Sequence, residues 1–382
     1  MNVQRISTLP ALAALENDWQ ELQAEVPDTP IFLTWEWVHN WWDVYGKDRE
    51  LWILTVLGHE GNLVGIAPLM ITPYRFVIGI RSLSFIGAGV VSPDHLDLLA
   101  IQAESARVAD EIANYLLSRT GDWDAIDFQS LSSESALNRS LSDQLSRSLQ
   151  REPISCPFFT LPESWQDFEQ QRLSANRRQQ IRRYTRKLLQ DHPDQVQFRR
   201  LQDQAEIAPA LRQLVQLHKG RWGEVGKSTP FLREDFFTFH LRMAEAAHNK
   251  GWLRFYTLQV RDELIAAYYC FCYHGVIADY QSGFDPEWSA YRPGQVLLAY
   301  VVQKSIEEGA GLFDMLRGSH DYKSSWAEDV RQELHVMFSQ HWRGHLFLLA
   351  AGLFERAKIW GRTILPTSWK FKLEKIVDRL FA

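Results

Sequence analysis

Cysteine is scarce in this chain: 3 residues in 382, at Cys156, Cys270 and Cys272. That excludes a disulfide-stapled fold, and the spacing matches no zinc pattern, so no metal is expected. Long apolar runs are missing as well. The longest, Leu346–Phe354, is too short to cross a bilayer, and MNVQRISTLPALAALE at the start lacks the apolar core and cleavage signature of a signal peptide. Positive charge is not in excess: the formal net charge of -6 argues against a general nucleic-acid coat, though a local basic patch stays open. These absences predict a cytoplasmic protein.

What is present in quantity is tryptophan, 15 residues, whose large apolar body and polar tip suit half-buried clefts as well as cores. With 46% hydrophobic and 23% charged residues the composition is that of a globular protein. Its 382 residues exceed what one core usually serves, so two domains are expected.

An internal echo organises the chain. LWILTVLGHEGNLVGIAPLMIT (Leu51–Thr72) and LRFYTLQVRDELIAAYYCFCYH (Leu253–His274) are both β-rich hairpins, with NLVGIAP matching ELIAAYY. Each is followed by a strand candidate (Ser82–Gly87; Val276–Gly283) and a helix (about 104–117; about 294–307). Each half closes on a strand holding an Asp among apolar residues, DAIDFQSL and GLFDMLRG. Two copies of one α/β (α+β) unit explain this order, each a mixed central sheet flanked by helices. Three prolines over Pro153–Pro162 mark the boundary, so the domains are expected at 1–152 and 153–341, with a helical tail over 342–382. Helices are also expected over Ala11–Ala24, Thr34–Gly46, Ser174–Gln190, Ile207–His218 and Asp235–Asn249. On the Thr34–Gly46 segment, Trp35, Val38 and Trp42 form the packing stripe, and Trp37 is kept as a cleft residue.

The stretch with most chemical content is Gly283–Trp326. A Pro-Gly pair (Pro293, Gly294) opens an amphipathic helix, where free N–H groups and the dipole favour an anion. Arg292 supplies a charge beside the Gly294 and Gln295 amides. A short strand and a loop bearing Arg317, Tyr322 and Lys323 follow. On the strand VIADYQSG, Asp279 and Tyr280 point to opposite faces. From Arg172 to Lys187 the chain has seven Arg or Lys and no acid, with Arg178 and Arg182 among them, and Ile181, Tyr184 and Leu188 as the packing stripe. That pattern reads as an anion-binding face. TSWKFKLEKIVDRLF, in the tail, alternates basic and bulky apolar residues, which suits docking on the body, a protein partner or a membrane surface.

The motifs FLTWEWVHNWW, LVGIAPLM, SLSFIGAG with PDHLDLL, SANRRQQIRRYTRKL, LHKGRW, GFDPEW, RPGQVLL and FDMLRG before YKSSW occur in that order. In this combination the chain resembles tandem GNAT-fold acyltransferases of the type named for cellulose biosynthesis (CelD/BcsL), distant relatives of the Fem peptidoglycan aminoacyl ligases. The resemblance covers about residues 32–326. It implies an acyl-CoA-dependent N- or O-acyltransferase, read most directly as an acetyltransferase, acting on a cell-surface polysaccharide or glycoconjugate precursor. Its cofactor is acetyl-CoA or another acyl-CoA. Two parallel strands, about 276–283 and 312–317, would splay near a β-bulge to admit it. Tyr291 and Val296 depart from the usual phosphate-loop pattern of the GNAT family.

The same resemblance makes Tyr280 the acid, aligns Lys323 with a Fem lysine facing the acceptor or the developing negative charge, and sets Tyr322 and Arg317 nearby. It makes Asp94 or Asp97 the acidic group that holds or deprotonates the acceptor. Arg221 and Trp222, in LHKGRW, sit at a helix end, where they either shape the acceptor cleft or close the helix. Two alternatives remain: a Fem-like ligase using aminoacyl-tRNA, and a non-catalytic GNAT-derived subunit of a polysaccharide assembly. Partners would be a small-molecule or glycan acceptor, with tRNA as the lesser option and a peripheral membrane or protein contact through the tail.

Overall fold

The computed structural model describes residues 1–74, 79–145, 147–223, 233–318 and 321–364. The chain forms two compact units: Met1–Ile154 together with the chain from Gln332 on, and Ser155–Arg331. The first boundary lies close to the one read from the prolines. The second lies earlier than 341, because the strand and helix after Gln332 belong with the first unit. The segment TSWKFKLEKIVDRLF lies outside the described residues.

The first unit begins β1 (Asn2–Ile6), α1 (Leu9–Ala14), α2 (Glu16–Glu25) and α3 (Trp35–Tyr45). Strands β2 (Glu50–Leu51), β3 (Ile53–Leu57), β4 (Leu63–Ala67), β5 (Leu69–Tyr74), β6 (Ile80–Phe85) and β7 (Leu99–Ala100) follow. Then come α4 (Ser105–Ser118), β8 (Ala125–Ser132), α5 (Ala136–Gln144) and β9 (Ser148–Gln150). The second unit holds β10 (Ile154–Thr160), α6 (Trp165–Gln171), α7 (Ala175–Asp191), β11 (Val196–Arg200), α8 (Gln204–Gly223) and α9 (Glu234–Asn249). It continues β12 (Leu253–Val260), β13 (Glu263–Tyr273), β14 (Val276–Phe284), α10 (Pro293–Glu307), β15 (Leu312–Asp314) and α11 (Asp321–Ser324). Strand β16 (Asp329–Ser339) and helix α12 (Trp342–Ile364) close the described chain.

In the first unit β1-β3-β4-β7 form one antiparallel sheet. A second runs β2-β5-β6-β8-β16, with β6 and β8 parallel. The hairpin strand expected through LVGIAPLM passes from one sheet to the other at Pro68, between β4 and β5. A proline has no N–H for a ladder, so the strand breaks where the sheets part. Helix α4 lies tight on β4: a Cβ at Gly65 would sit 2.4 Å from Val108 Cγ1. Helix α3 is capped by Thr34, whose Oγ1 accepts from the Trp37 N–H at 3.3 Å. Its buried face is Trp37, Val38, Trp41 and Tyr45, not the stripe of Trp35, Val38 and Trp42.

The second unit's sheet runs β11-β12-β13-β14-β15-β10, antiparallel except for β14–β15. The proline-rich stretch expected to mark the domain boundary holds strand β10, paired to β15 through Phe158↔Asp314 and Phe159↔Phe313. Pro157 fits because only its carbonyl is needed: it accepts the Met315 N–H at 2.9 Å. Helices α10 and α7 share a core with Tyr268, Cys270, Ile277 and Phe313 on one face of the sheet. On the other face Gly283 lies against α8, where a Cβ would be 3.0 Å from Leu217 Cβ.

Candidate functional site

The central feature is a parting of two parallel strands. Strands β14 and β15 pair over Val276↔Leu312, Ile277↔Phe313 and Ala278↔Asp314, where β15 ends, while β14 runs on to Phe284. Between Tyr269↔Gln281 and Phe271↔Ala278 the β13–β14 ladder shifts register. Two steps on β13 match three on β14, which makes a β-bulge at Asp279–Tyr280. The two side chains do face opposite ways. Asp279 lies on the α10 side, accepting from the Cys270 thiol at 3.8 Å. Tyr280 lies on the other, its hydroxyl 3.3 Å from His240 Nε2 and its ring against Tyr269 and Phe271. Tyr280, the expected acid, is thus turned to the α9 face, and the residue on the α10 side at the parting is Asp279.

Helix α10 starts at the end of β14. Arg292, its N-cap, is left-handed (φ 51, ψ 50), and no side chain caps the helix. A non-glycine residue in that region costs about 1–2 kcal/mol, and a cation at a helix N-terminus is disfavoured by the dipole. An anion placed there would offset the second cost. Pro293 has no N–H, and the Gln295 and Val296 N–H groups both donate to the Arg292 carbonyl, at 2.9 and 3.1 Å. Gln295 is therefore not the amide donor the sequence suggested; Gly294 supplies the amide of the first turn. Gly294 sits close to β14, with a Cβ there 3.3 Å from Phe284 Cδ1, and its carbonyl accepts from Tyr268 Oη at 3.2 Å. Burial pushes the Tyr268 phenol well above its usual range, so its proton stays on.

A cavity of about 250 Å³ opens here. Its walls are the end of β14 (Ser282–Phe284), Tyr268, the α10 start from Arg292 to Gln295, and Tyr322. Four residues singled out in the sequence, Arg292, Gly294, Gln295 and Tyr322, thus line one space. Arg317 and Lys323 are not in its wall. Lys323 is buried and its ammonium donates to three backbone carbonyls, those of Met315, Leu316 (3.2 Å) and Arg317 (2.7 Å). It holds the loop leaving β15, where Leu316 is itself left-handed (φ 55). Asp314 completes this brace, accepting from the Leu316 N–H at 2.8 Å and pairing with Arg331 at 3.3 Å.

Burial pushes Asp279 up to about 6, with the Lys323 charge pulling against it. A carboxylate in that range is ionised at neutral pH yet basic enough to take a proton. Burial also raises both the Cys270 and Cys272 thiols, so neither is a thiolate at neutral pH.

The basic helix is partly compensated by acids that sequence spacing does not reveal. Arg172 pairs with Glu328, and Arg182 with Glu169 at 3.0 Å. Arg178 caps α6, donating to the carbonyls of Glu169 (2.8 Å) and Leu173 (2.6 Å). Arg178 and Arg182 therefore brace α6 against α7. The cations next to the α10 start are others. Arg183 donates to Tyr184 Oη at 2.7 Å, and that bond, with help from Arg292, holds the phenol below its ordinary value. Lys187 lies 4.7 Å over the Tyr291 ring.

The remaining sequence candidates lie elsewhere. Trp37 is fully buried, edge-on to Phe32 at 4.8 Å, and is core instead of cleft. Asp94 is buried in the first unit. Asp97 accepts from the Leu98 N–H (2.8 Å) and Ser135 Oγ (2.9 Å), and burial pushes it to about 6. Arg221 and Trp222 fall in the last turn of α8, with side chains outside the described part.

Comparison with known proteins agrees with this geometry. Residues 175–324 match the family model described as an acetyltransferase (GNAT) domain, a span that contains the parting, the bulge and the α10 start. A crystal structure of FemX superposes with a TM-score of 0.60 at 10% identity, over 88% of this chain and 97% of that one. A conserved protein of unknown function from Bacteroides thetaiotaomicron gives 0.54 at 10% identity, over 89% and 100%. A search of curated sequences returns no match. The fold is that of GNAT proteins, with a GNAT acetyltransferase domain in the second unit.

Proposed function

We propose that this chain is an acyl-CoA-dependent acyltransferase that acetylates an amine or hydroxyl of a cell-surface glycan precursor. The observation that carries the reading is the cavity where β14 outruns β15, ending at the uncapped start of α10. The residues there suit a diphosphate: a left-handed Arg292, a glycine amide, and no carboxylate in the wall. Bound there, an acyl-CoA supplies a thioester, whose C–S bond breaks as the acceptor nitrogen or oxygen bonds the carbonyl carbon.

Arg292 and the Gly294 amide hold the phosphates in this scheme. Asp279 takes the acceptor's proton, and Tyr322 gives one to the departing sulfur. Lys323 is a positioning residue, fixing the loop from which Tyr322 projects. The glycan acceptor rests on the family resemblance.

A second reading, transfer from aminoacyl-tRNA, is favoured by the likeness to FemX and by the basic α7. Against it, three of the seven cations from Arg172 to Lys187 are already paired or capping. Calorimetric titration of the purified chain with acetyl-CoA and with tRNA decides. Saturable acetyl-CoA binding that Arg292→Glu abolishes is expected. Binding of tRNA alone, steeply salt-dependent, would replace this reading with the second.

A further inference from the structure

Helix α12 is seated on one side and bare on the other. Its inner face is pinned: a Cβ at Gly344 would lie 1.9 Å from the Asp124 carbonyl oxygen, and Phe347, Leu348 and Ala351 are buried with Ile80, Ala125 and Met337. Trp342, Leu346, Leu349 and Leu353 are 65, 51, 58 and 65% exposed. Their spacing of four, three and four residues sets them in one stripe along three turns. Four large apolar side chains aligned in water are a patch that calls for a partner, unlike apolar residues scattered singly. No helix among the described residues is long and apolar enough to cross a membrane, so a surface contact is what the stripe fits.

Charge indicates what covers it. From Trp342 to Ala382 the sequence has eight Lys or Arg (Arg343, Arg356, Lys358, Arg362, Lys370, Lys372, Lys375, Arg379) and three acids (Glu355, Glu374, Asp378). That makes these residues +5, and with a whole-chain charge of -6 the rest is -11. Arg343 is committed to Asp124 and the Gly79 carbonyl, but Arg356 is exposed. An apolar stripe with a tryptophan at one end and basic residues beside it is the composition of a helix lying in a headgroup layer. In a two-fold dimer through this face the stripe would meet its own copy, setting like-charged basic residues against one another.

We infer that the bare face of α12 docks on an anionic lipid surface, the apolar stripe entering the headgroup–acyl boundary and the adjoining basic residues meeting lipid phosphates. The test uses the full chain in co-sedimentation with vesicles of equal phosphatidylglycerol and phosphatidylcholine, and with phosphatidylcholine alone. Binding to the anionic vesicles is expected, weakened about tenfold on neutral ones and again at high salt. Leu346→Glu/Leu349→Glu should weaken it by about tenfold or more while leaving the thermal melt unchanged, since both side chains face water. Should that double variant misfold, Trp342→Gln serves in its place, with a smaller loss. The proposal is overturned if the wild type stays in the supernatant, or if the variants sediment as it does. A wild-type dimer that the double variant makes monomeric would also overturn it, by assigning the face to a second copy. None of these outcomes depends on the acyl-transfer reading.

Discussion

The two units share an order of hairpin, strand, helix and strand, and differ most where their parallel strands part. In the first, β6 and β8 pair only at Ser82↔Ala125 and Leu83↔Ile126. Further along β8, Leu96 donates its N–H to the Ser130 carbonyl at 2.9 Å and bridges Leu131 in parallel. Strand β16 already holds the other edge there, through Leu334↔Leu131. The chain therefore fills its own gap. In the second unit the equivalent place is a cavity. Parted strands leave backbone groups that need partners. One copy finds them in its own backbone; in the other, the proposed acyl-CoA would supply them. The helix starts differ in the same sense. Glu104 precedes α4 and pairs with Arg107 at 3.0 Å, putting an acid where the dipole wants one. Arg292 precedes α10, putting a cation where the dipole disfavours one.

Lys323 offers the largest effect. Lys323→Met should destabilise the second unit by about 3 kcal/mol, because three buried carbonyls lose a charged donor. Urea melts measure this. A variant that melts like the wild type yet loses turnover would instead assign the lysine to substrate, as the Fem resemblance has it.

The two buried carboxylates sharpen the comparison, since burial raises both Asp279 and Asp97 to about 6. A raised carboxyl pKa stabilises the fold while the group is protonated, below about 4, and that stabilisation is lost as pH climbs through 6. Replacing either by Asn should flatten the stability profile between those values. Only Asp279→Asn should also cut kcat/KM, by about 100-fold at neutral pH, and erase the fall of activity below pH 6 expected of the wild type. If the acid limb survives in Asp279→Asn and vanishes in Asp97→Asn, the base belongs to the first unit.

Much of the second unit was legible in the sequence. Helices α7 and α10 and the β12–β13 hairpin lie within a residue or two of where periodicity put them, because each carries its own apolar pattern. The Pro-Gly start of α10 and the splayed strands also stand where expected. What escaped depends on contacts distant in sequence. An extra residue at Asp279 leaves the period-two pattern of β14 intact to the eye, yet it decides which side chain faces α10. Lys323 binds backbone carbonyls, which leave no residue-type signal. Glu169 and Glu328 compensate the run from Arg172 to Lys187 from outside it. The prolines near 153–162 read as a break between domains because a strand that needs only a carbonyl from Pro157 looks like an interruption.

Gly294 tests whether the second unit's gap is the one a ligand enters. Gly294→Val would drive a side chain into Phe284 at the cavity wall, where even a Cβ is at 3.3 Å. Overpacking of about 2 kcal/mol should appear as a loss of about 30-fold in acetyl-CoA affinity. Its counterpart, Gly65→Ala, pushes a Cβ against Val108 in the first unit and should lower stability by a similar amount with affinity unchanged. Equal affinity loss from both would dissolve the distinction between an open copy and a filled one.

Arg292→Gly carries the smallest expected effect and the most specific sign. Glycine accepts φ 51 without strain and removes a cation from the positive end of α10. The unliganded protein should therefore gain about 1 kcal/mol, measured by urea melt, although glycine's freedom in the unfolded chain takes back part of it. Acetyl-CoA affinity should fall by about tenfold as a charged phosphate contact is lost. Opposite signs in the two measurements are the mark of a residue kept strained for its ligand. Loss of both stability and affinity would mean that Arg292 belongs to the packing of the α7–α10 seam, and that the anion is held by something else.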